Sequence, residues 1–193
     1  MSARMVLLGP PGAGKGTQAA RICERLSIPA ISTGDIFRAN VSRGTELGER
    51  ARQYMDRGEY VPDSVTNAMV ADRLDAGDAA QGFLLDGYPR TEAQVHELDA
   101  MLADSGLALD VVLEITADAE VVVDRLLKRA TEQNRADDTE SVIRRRLEVY
   151  AEATEPLAAL YEGRGLLVRV DGTGDVDEVT ERIMTALASR ATA

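Results

Sequence analysis

At 193 residues, with 45% hydrophobic and 28% charged side chains, the chain can bury a substantial core and has the balance of an ordinary folded protein. Its net charge of −11 argues against a general nucleic-acid surface, so any anion it binds must meet positive charge gathered locally. A single cysteine, Cys23, excludes an intrachain disulfide and a cysteine metal cage, and no apolar run approaches the ~18–20 residues of a membrane span.

The start, MSARMVLLGPPG, enters structure at once, and its apolar stretch is too short for a signal peptide, so a reducing cytoplasm is expected. MVLLG (5–9) predicts a short buried strand ended by glycine. From Gly14 to Leu26, Ala19, Ile22, Cys23 and Leu26 recur at helical spacing, giving strand, loop and helix in succession. IPAIS (28–32) predicts a second strand. Residues 34–42, 45–57 and 63–75 carry helical patterns, separated by Gly44 and by Gly58 with Pro62. GFLLD (82–86) predicts a strand ending in a carboxylate, followed by the punctuating GYPR and a helix at 91–103. DVVLEI (110–115) is a fourth strand, 118–129 a helix, 138–162 one long helix, LLVRV (166–170) a fifth strand and 176–189 a final helix.

Five apolar strands without clean alternation, spaced by helices, predict an α/β fold whose parallel sheet is buried on both faces. Ligands of such sheets sit at the carboxyl ends of the strands. Two segments interrupt the alternation: a helix-only insert at about 33–61 and the polar stretch TEQNRADD at 131–138.

The motif that carries chemistry is GPPGAGKGT (9–17), directly behind the first strand. It fits G-x-x-x-x-G-K with Gly9, Gly14 and Lys15 in register, the P-loop pattern. Such a loop turns consecutive N–H groups inward around phosphate oxygens, where side chains would block the approach, and the following helix adds its N-terminal dipole. Among 22 basic residues only two are lysines, Lys15 and Lys128. A compact, mobile ammonium can follow a phosphoryl group where a planar guanidinium is bulkier, which accounts for lysine at position 15 in an arginine-writing sequence. The residue after it is Gly16, and the hydroxyl comes one place later at Thr17. Mg²⁺ is therefore expected to be held mainly by phosphates and water, with Asp86 as a possible outer-shell contact and no direct protein ligand.

GPPGAGKGT, STGDIFR (32–38), FLLDGYPRT (83–91), RADD (135–138) and VDGT (170–173), in that order, resemble the adenylate kinases over essentially the whole chain. The resemblance implies a P-loop NTPase-type five-stranded parallel sheet flanked by helices, with a small helical AMP-binding insert and a short lid. The implied boundaries are a core of 1–31, 62–128 and 139–193, an AMP-binding domain at 32–61 and a lid at 129–138. The implied reaction is reversible transfer of the γ-phosphoryl group from Mg-ATP to AMP, giving two ADP.

By the same resemblance, Gly12, Ala13, Gly14, Lys15, Gly16, Thr17, Arg125, Arg129 and Gly174 bind ATP, with Arg125 and Gly174 against its adenine. Thr33, Gly34, Arg38, Met55, Glu59, Tyr60, Val61, Gly87, Tyr88, Pro89, Arg90, Gln94, Arg135 and Arg146 form the AMP side. Gln94 would hydrogen-bond the adenine edge. The catalytic set is Lys15, Arg38, Arg90, Arg135 and Arg146. Arg144, Arg145 and Arg146 are consecutive and cannot all point one way on a helix. Motif position favours Arg146 for the transferring group, leaves Arg145 to solvent and gives Arg144 a lesser claim on the site. Asp137 and Asp138 would pair with arginines of the site. Five residues between Arg129 and Arg135 leave no room for a long zinc-binding lid, so no structural zinc is expected. His96, the one histidine, reads as a solvated helix residue, and Cys23 as packing.

The alternatives are a UMP/CMP kinase on the same fold and, more remotely, a non-catalytic P-loop nucleotide-binding module. UMP/CMP kinases tend to carry alanine where Thr33 stands and asparagine in the acceptor-reading region, so Thr33 and Gln94 favour AMP. A guanine-nucleotide switch would need N-K-x-D, and none occurs. The expected partners are small nucleotides only, with no nucleic acid or membrane, and the expected state is a monomer.

Overall fold

The computed structural model describes residues 3–132 and 139–191. Its strands are β1 (Arg4–Leu8), β2 (Ala30–Ser32), β3 (Phe83–Asp86), β4 (Val111–Thr116) and β5 (Leu167–Asp171). They form one sheet in the order β2-β3-β1-β4-β5, and every pairing is parallel. The inner strands β1, β3 and β4 are mostly apolar because each face of the sheet is covered, whereas edge strand β5 carries the exposed Arg169, which pairs with Glu114 of β4. Val6, Leu8, Leu85 and Val112 face one core, and Met5, Leu7, Leu84 and Leu113 face the other.

The helices α1 (Lys15–Leu26) and α9 (Val176–Ala191) close the second face with Ala19, Ile22, Val179 and Ile183. On the first face, α4 (Asp63–Leu74), α5 (Glu92–Asp104) and α8 (Pro156–Gly163) contribute Val70, Val95, Leu98, Leu157 and Tyr161. Between β2 and α4, α2 (Thr33–Arg43) and α3 (Glu46–Met55) enclose a small core of their own, Phe37, Ala51 and Val61. A fourth cluster joins α6 (Ala119–Glu132) to α7 (Glu140–Val149) through Val122, Leu126 and Ile143.

The expected long helix over 138–162 is interrupted. After α7 the chain makes a π turn at Tyr150–Thr154, in which the Glu155 N–H reaches the Tyr150 carbonyl at 2.9 Å, and α8 then begins at Pro156. Proline lacks the N–H that a continuous α-helix needs and crowds the preceding turn, so the ladder is reset there. The other predicted elements are present, with ends shifted by a few residues.

Register brings the site together. Leu7 and Ser32 both lie opposite Asp86, and Leu8 lies opposite Glu114. Gly9, Thr33 and Gly87, each the next residue out of its strand, therefore emerge side by side at the carboxyl edge. The chain lays β2 and β3 on one side of β1, then β4 and β5 on the other, so the loop after β1 lies at the switch point where open α/β sheets bind ligands.

Candidate active site

Above that edge lies a cleft of about 800 Å³. One wall is the glycine loop. Gly12 there has φ +86°, and a Cβ on it would lie 2.8 Å from the Val122 carbonyl oxygen, so only glycine lets the loop pass α6. The loop leads into α1, whose start at Gly14 carries no side-chain cap. By contrast, α2, α3, α5 and α7 are capped by Ser32, Thr45, Thr91 and Thr139. The first residues of α1 line the cleft, so its uncapped amides and positive dipole end face that space, which suits phosphate. The Lys15 ammonium curls over the loop and donates to the carbonyls of Gly9 at 2.7 Å and Pro10 at 2.9 Å.

The opposite wall is built around Gly87. Its φ is +82°, and a Cβ there would meet Thr33 Oγ1 at 2.7 Å and Arg90 Nη2 at 2.9 Å. The Gly87 carbonyl accepts from both Thr33 Oγ1 (2.9 Å) and Arg90 Nε (2.7 Å), which fixes the two side chains relative to one another. The Arg90 guanidinium also lies 4.7 Å from the centre of the Tyr60 ring, within cation–π range. Thr154, in the π turn, donates to the Arg90 carbonyl at 2.8 Å and accepts from the Tyr60 hydroxyl at 2.7 Å. Arg38 pairs with Asp35 at 2.5 Å and lies against Gly34, whose added Cβ would be 3.0 Å from Nη2.

On the far side, Arg125 donates to the Gly172 carbonyl at 3.3 and 3.4 Å. Arg182 holds the carbonyls of Asp171 and Thr173 at 2.6 and 2.9 Å, so the 171–174 loop is clamped between two guanidiniums. Hydrogen bonding from Thr173 holds the Asp171 carboxyl below its ordinary range. Buried Gln18 ties the first turns of α9, the helix that follows this loop, to α1: its Nε2 donates to the Val176 carbonyl at 3.0 Å and its Oε1 accepts from Thr180 at 2.8 Å.

The lining residues carry six cations (Lys15, Arg38, Arg90, Arg125, Lys128, Arg146) and three carboxylates (Asp35, Glu59, Asp86). A chain of net charge −11 has thus concentrated positive charge along one cleft, the local gathering that an anion site in an acidic protein requires. Gly12, Ala13, Gly14, Gly16, Thr17, Gly34, Met55, Tyr60, Val61, Gly87, Pro89, Gln94 and Gly174 line the same cleft, as does Thr33.

Tyr88 is different. Its ring is fully buried in the sheet core, away from the cleft, and its hydroxyl donates to Asn67 at 2.9 Å. Burial raises that phenol above its ordinary value. The Tyr88–Pro89 peptide is cis. The Arg129 side chain, Arg135, Asp137 and Asp138 lie outside the described residues, as does most of the expected lid.

Of the three consecutive arginines, only Arg146 lines the cleft. Arg144 pairs with Glu140 on the solvent face. Arg145, expected in solvent, instead donates to Glu59 at 2.7 Å and to Glu148 at 3.1 Å, joining α7 to the end of the insert. Those two carboxylates, Glu59 first, raise its guanidinium further above its ordinary value. His96 is exposed beside Glu92, as read.

Gln18, Lys128 and Thr154 line the cleft and were missed in the sequence. Lys128 had a signal, being the second of two lysines. Gln18 and Thr154 had none that a local pattern reveals.

By class this is a P-loop α/β protein with a two-sided, arginine-rich cleft. The family model for adenylate kinase matches residues 7–166. An adenylate kinase of Kocuria rhizophila is 65% identical over 95% of this chain and 98% of its own length. Those of Thermobifida fusca and a Nocardioides species are 62% and 61% identical, over 97% and 95% of this chain and 100% and 96% of their own lengths. The chain belongs to the adenylate kinase family of phosphotransferases.

Proposed function

We propose that the chain catalyses reversible transfer of the γ-phosphoryl group from Mg-ATP to AMP, giving two ADP. The observation that carries this reading is one continuous cleft running from the glycine loop to the Asp86–Arg90 turn, with cations along its whole length. The relatives named adenylate kinase support it, and nothing in the site favours a pyrimidine acceptor.

In the reaction, an oxygen of the AMP phosphate attacks the γ-phosphorus in line. The bond from that phosphorus to the bridging β-oxygen breaks, and its electron pair leaves with ADP. No proton need move if the acceptor phosphate is already a dianion. Catalysis is then positioning and charge neutralisation of a loose, metaphosphate-like group. Lys15 and the amides of residues 12–17 hold the donor phosphates. Arg38 and Arg90 hold the acceptor phosphate, and Arg146 with Arg135 neutralises the transferring group. Arg125, Arg129 and Gly174 take the donor adenine and phosphates. Thr33, Gly34, Met55, Val61, Gln94 and the backbone at Glu59 and Tyr60 take AMP, with Gly87, Tyr88 and Pro89 as the turn that carries Arg90.

Mg²⁺ enters as part of the Mg-ATP substrate and screens the charge between its phosphates. A hard cation takes oxygen ligands, and Asp86, at the end of β3 in the same cleft, fits an outer-shell contact. Among the described residues no three His, Cys, Asp or Glu side chains gather as a metal cage.

The insert 32–61 acts as the AMP-binding domain and 129–138 as a short lid, and their closure over the core 1–31, 62–128 and 139–193 excludes water. The independent apolar cluster of the insert supports treating it as a unit. The working protein is a cytoplasmic monomer. Among the described residues no helix is long and apolar enough to cross a membrane.

The test is ADP formation from Mg-ATP with AMP, UMP, CMP and GMP offered separately. AMP is expected to be preferred by orders of magnitude, and Lys15→Ala to lose about 10²–10³-fold in turnover. A preference for UMP or CMP would overturn the acceptor assignment. ATP binding without transfer to any acceptor would overturn the activity.

A further inference from the structure

We propose that Asp63 is a specificity-positioning residue: it locks the Gln94 amide in one of its two orientations and so selects a 6-aminopurine over a 6-oxopurine as acceptor. The inference rests on the reading above that Gln94 faces the acceptor base.

Gln94 lies in the first turn of α5, is 1% exposed and lines the cleft. A primary amide can turn over about its last bond with almost no change in shape, so its partners decide which end carries the nitrogen. Here the two partners have opposite and fixed character. The backbone N–H of Arg90, which can only donate, lies 2.7 Å from Oε1. The carboxylate of Asp63, an acceptor, takes a hydrogen bond from Nε2 at 2.6 Å. The flipped amide would set N–H against N–H at one end and carbonyl against carboxylate at the other.

Asp63 is itself held. It is the first residue of α4, and its second oxygen accepts from Thr91 Oγ1 at 3.2 Å. Thr91 in turn caps α5 by accepting the N–H of Gln94 at 3.2 Å. Carboxylate, cap and amide thus form a closed ring, joining parts of the chain 31 residues apart.

Each end of the amide retains capacity for one more bond, a second N–H on Nε2 and a second lone pair on Oε1. The base is therefore offered one donor and one acceptor in a fixed order. A 6-aminopurine presents a ring-nitrogen acceptor beside an amino donor, whereas a 6-oxopurine presents a ring N–H donor beside an oxygen acceptor. A freely turning amide suits both. A locked one suits a single order, because arginines at the phosphate end prevent the nucleotide from turning over. Removing the hydrogen-bonding complement of a buried polar site discriminates strongly between such analogues.

The experiment measures kcat and KM for AMP and IMP, with thermal unfolding, in the full chain carrying Asp63→Ala, Asp63→Asn or Gln94→Leu. Asp63→Ala is expected to raise KM for AMP about tenfold with kcat little changed, and to lower the AMP/IMP ratio of kcat/KM by about tenfold or more. Asp63→Asn should restore most of that ratio, since its Oδ1 still accepts from Gln94. Should Asp63→Ala not fold, Thr91→Val leaves the carboxylate but removes its tether, and the ratio should fall about threefold.

A merely structural Asp63 would lower the melting temperature and affect both acceptors in parallel, and an unchanged ratio overturns the lock. If Gln94→Leu loses the discrimination and Asp63→Ala keeps it, the lock fails while base reading by Gln94 stands. If Gln94→Leu leaves the AMP KM unchanged, that base reading fails and the lock falls with it.

Discussion

The two walls of the cleft are built on different physical plans. The wall proposed for the donor is backbone: a glycine loop, a helix start without a side-chain cap, and Lys15 lying on the loop's own carbonyls. The wall proposed for the acceptor is a web of side chains, with Thr33 and Arg90 sharing the Gly87 carbonyl and Thr154 bridging Tyr60 to Arg90. Phosphate can be held by amides that any local sequence supplies, provided the loop is bare enough. Telling one base from another requires donors and acceptors in order, and those must be anchored from several directions. The first wall should tolerate no change of charge shape, and the second should fail gradually as its anchors are removed.

The sharpest break in this contrast is Lys15→Arg, which keeps the charge but not the compact ammonium. Turnover is expected to fall about 10²-fold, measured by steady-state kinetics with both substrates saturating. Retained turnover would mean that charge alone serves the donor wall. On the acceptor wall, Thr154→Val removes the donor to the Arg90 carbonyl and the acceptor of the Tyr60 hydroxyl. KM for AMP should rise about tenfold while KM for ATP stays within about twofold.

A smaller effect is expected from Gln18→Met, which unties the first turns of α9, directly after the 171–174 loop, from α1. KM for ATP should rise about threefold with AMP unaffected, and stability should fall by about 1–3 kcal/mol in denaturant unfolding. If AMP and ATP are affected equally, the two walls are less independent than the hydrogen bonds imply. The smallest effect concerns Cys23, whose thiol burial raises from its ordinary 9.0 to about 11. The unfolded chain loses this proton first as pH rises, so this contribution to stability is full below pH 9 and fades between 9 and 11. Denaturation midpoints of wild type and Cys23→Ala, compared across that range, should converge in slope once the thiol is gone. A thiol reagent at neutral pH should react only as the chain unfolds.

The same division explains how much was readable in advance. GPPGAGK announces itself because every residue of the loop acts locally, and strands ending at Gly9 and Asp86 announce a sheet edge for the same reason. The register that levels Ser32 with Asp86 follows from short apolar strands whose ends are marked by polar or glycine residues. Arg145 was misread because its partner, Glu59, lies 86 residues away, and helical phase alone cannot distinguish solvent from a distant carboxylate. Gln94 was legible as a cleft residue but not as a buried one, because the two groups that occupy it come from Asp63 and from the backbone of Arg90. The broken helix had a visible signal in Pro156 that the surrounding helical pattern masked.

That break has a consequence for how the chain tolerates changes in length. In a π turn one extra residue is taken up without leaving the helix, so the segments on either side keep separate angular settings. Before it, Arg146 is aimed into the cleft. After it, Leu157 and Tyr161 are aimed into the sheet core, and Thr154 sits at the joint. Deleting a single residue from 150–154 would leave helix on both sides and change composition hardly at all. It would still turn one half against the other by roughly 100°, the angle of one helical residue. The cleft and the core would then demand different rotations of the same rod.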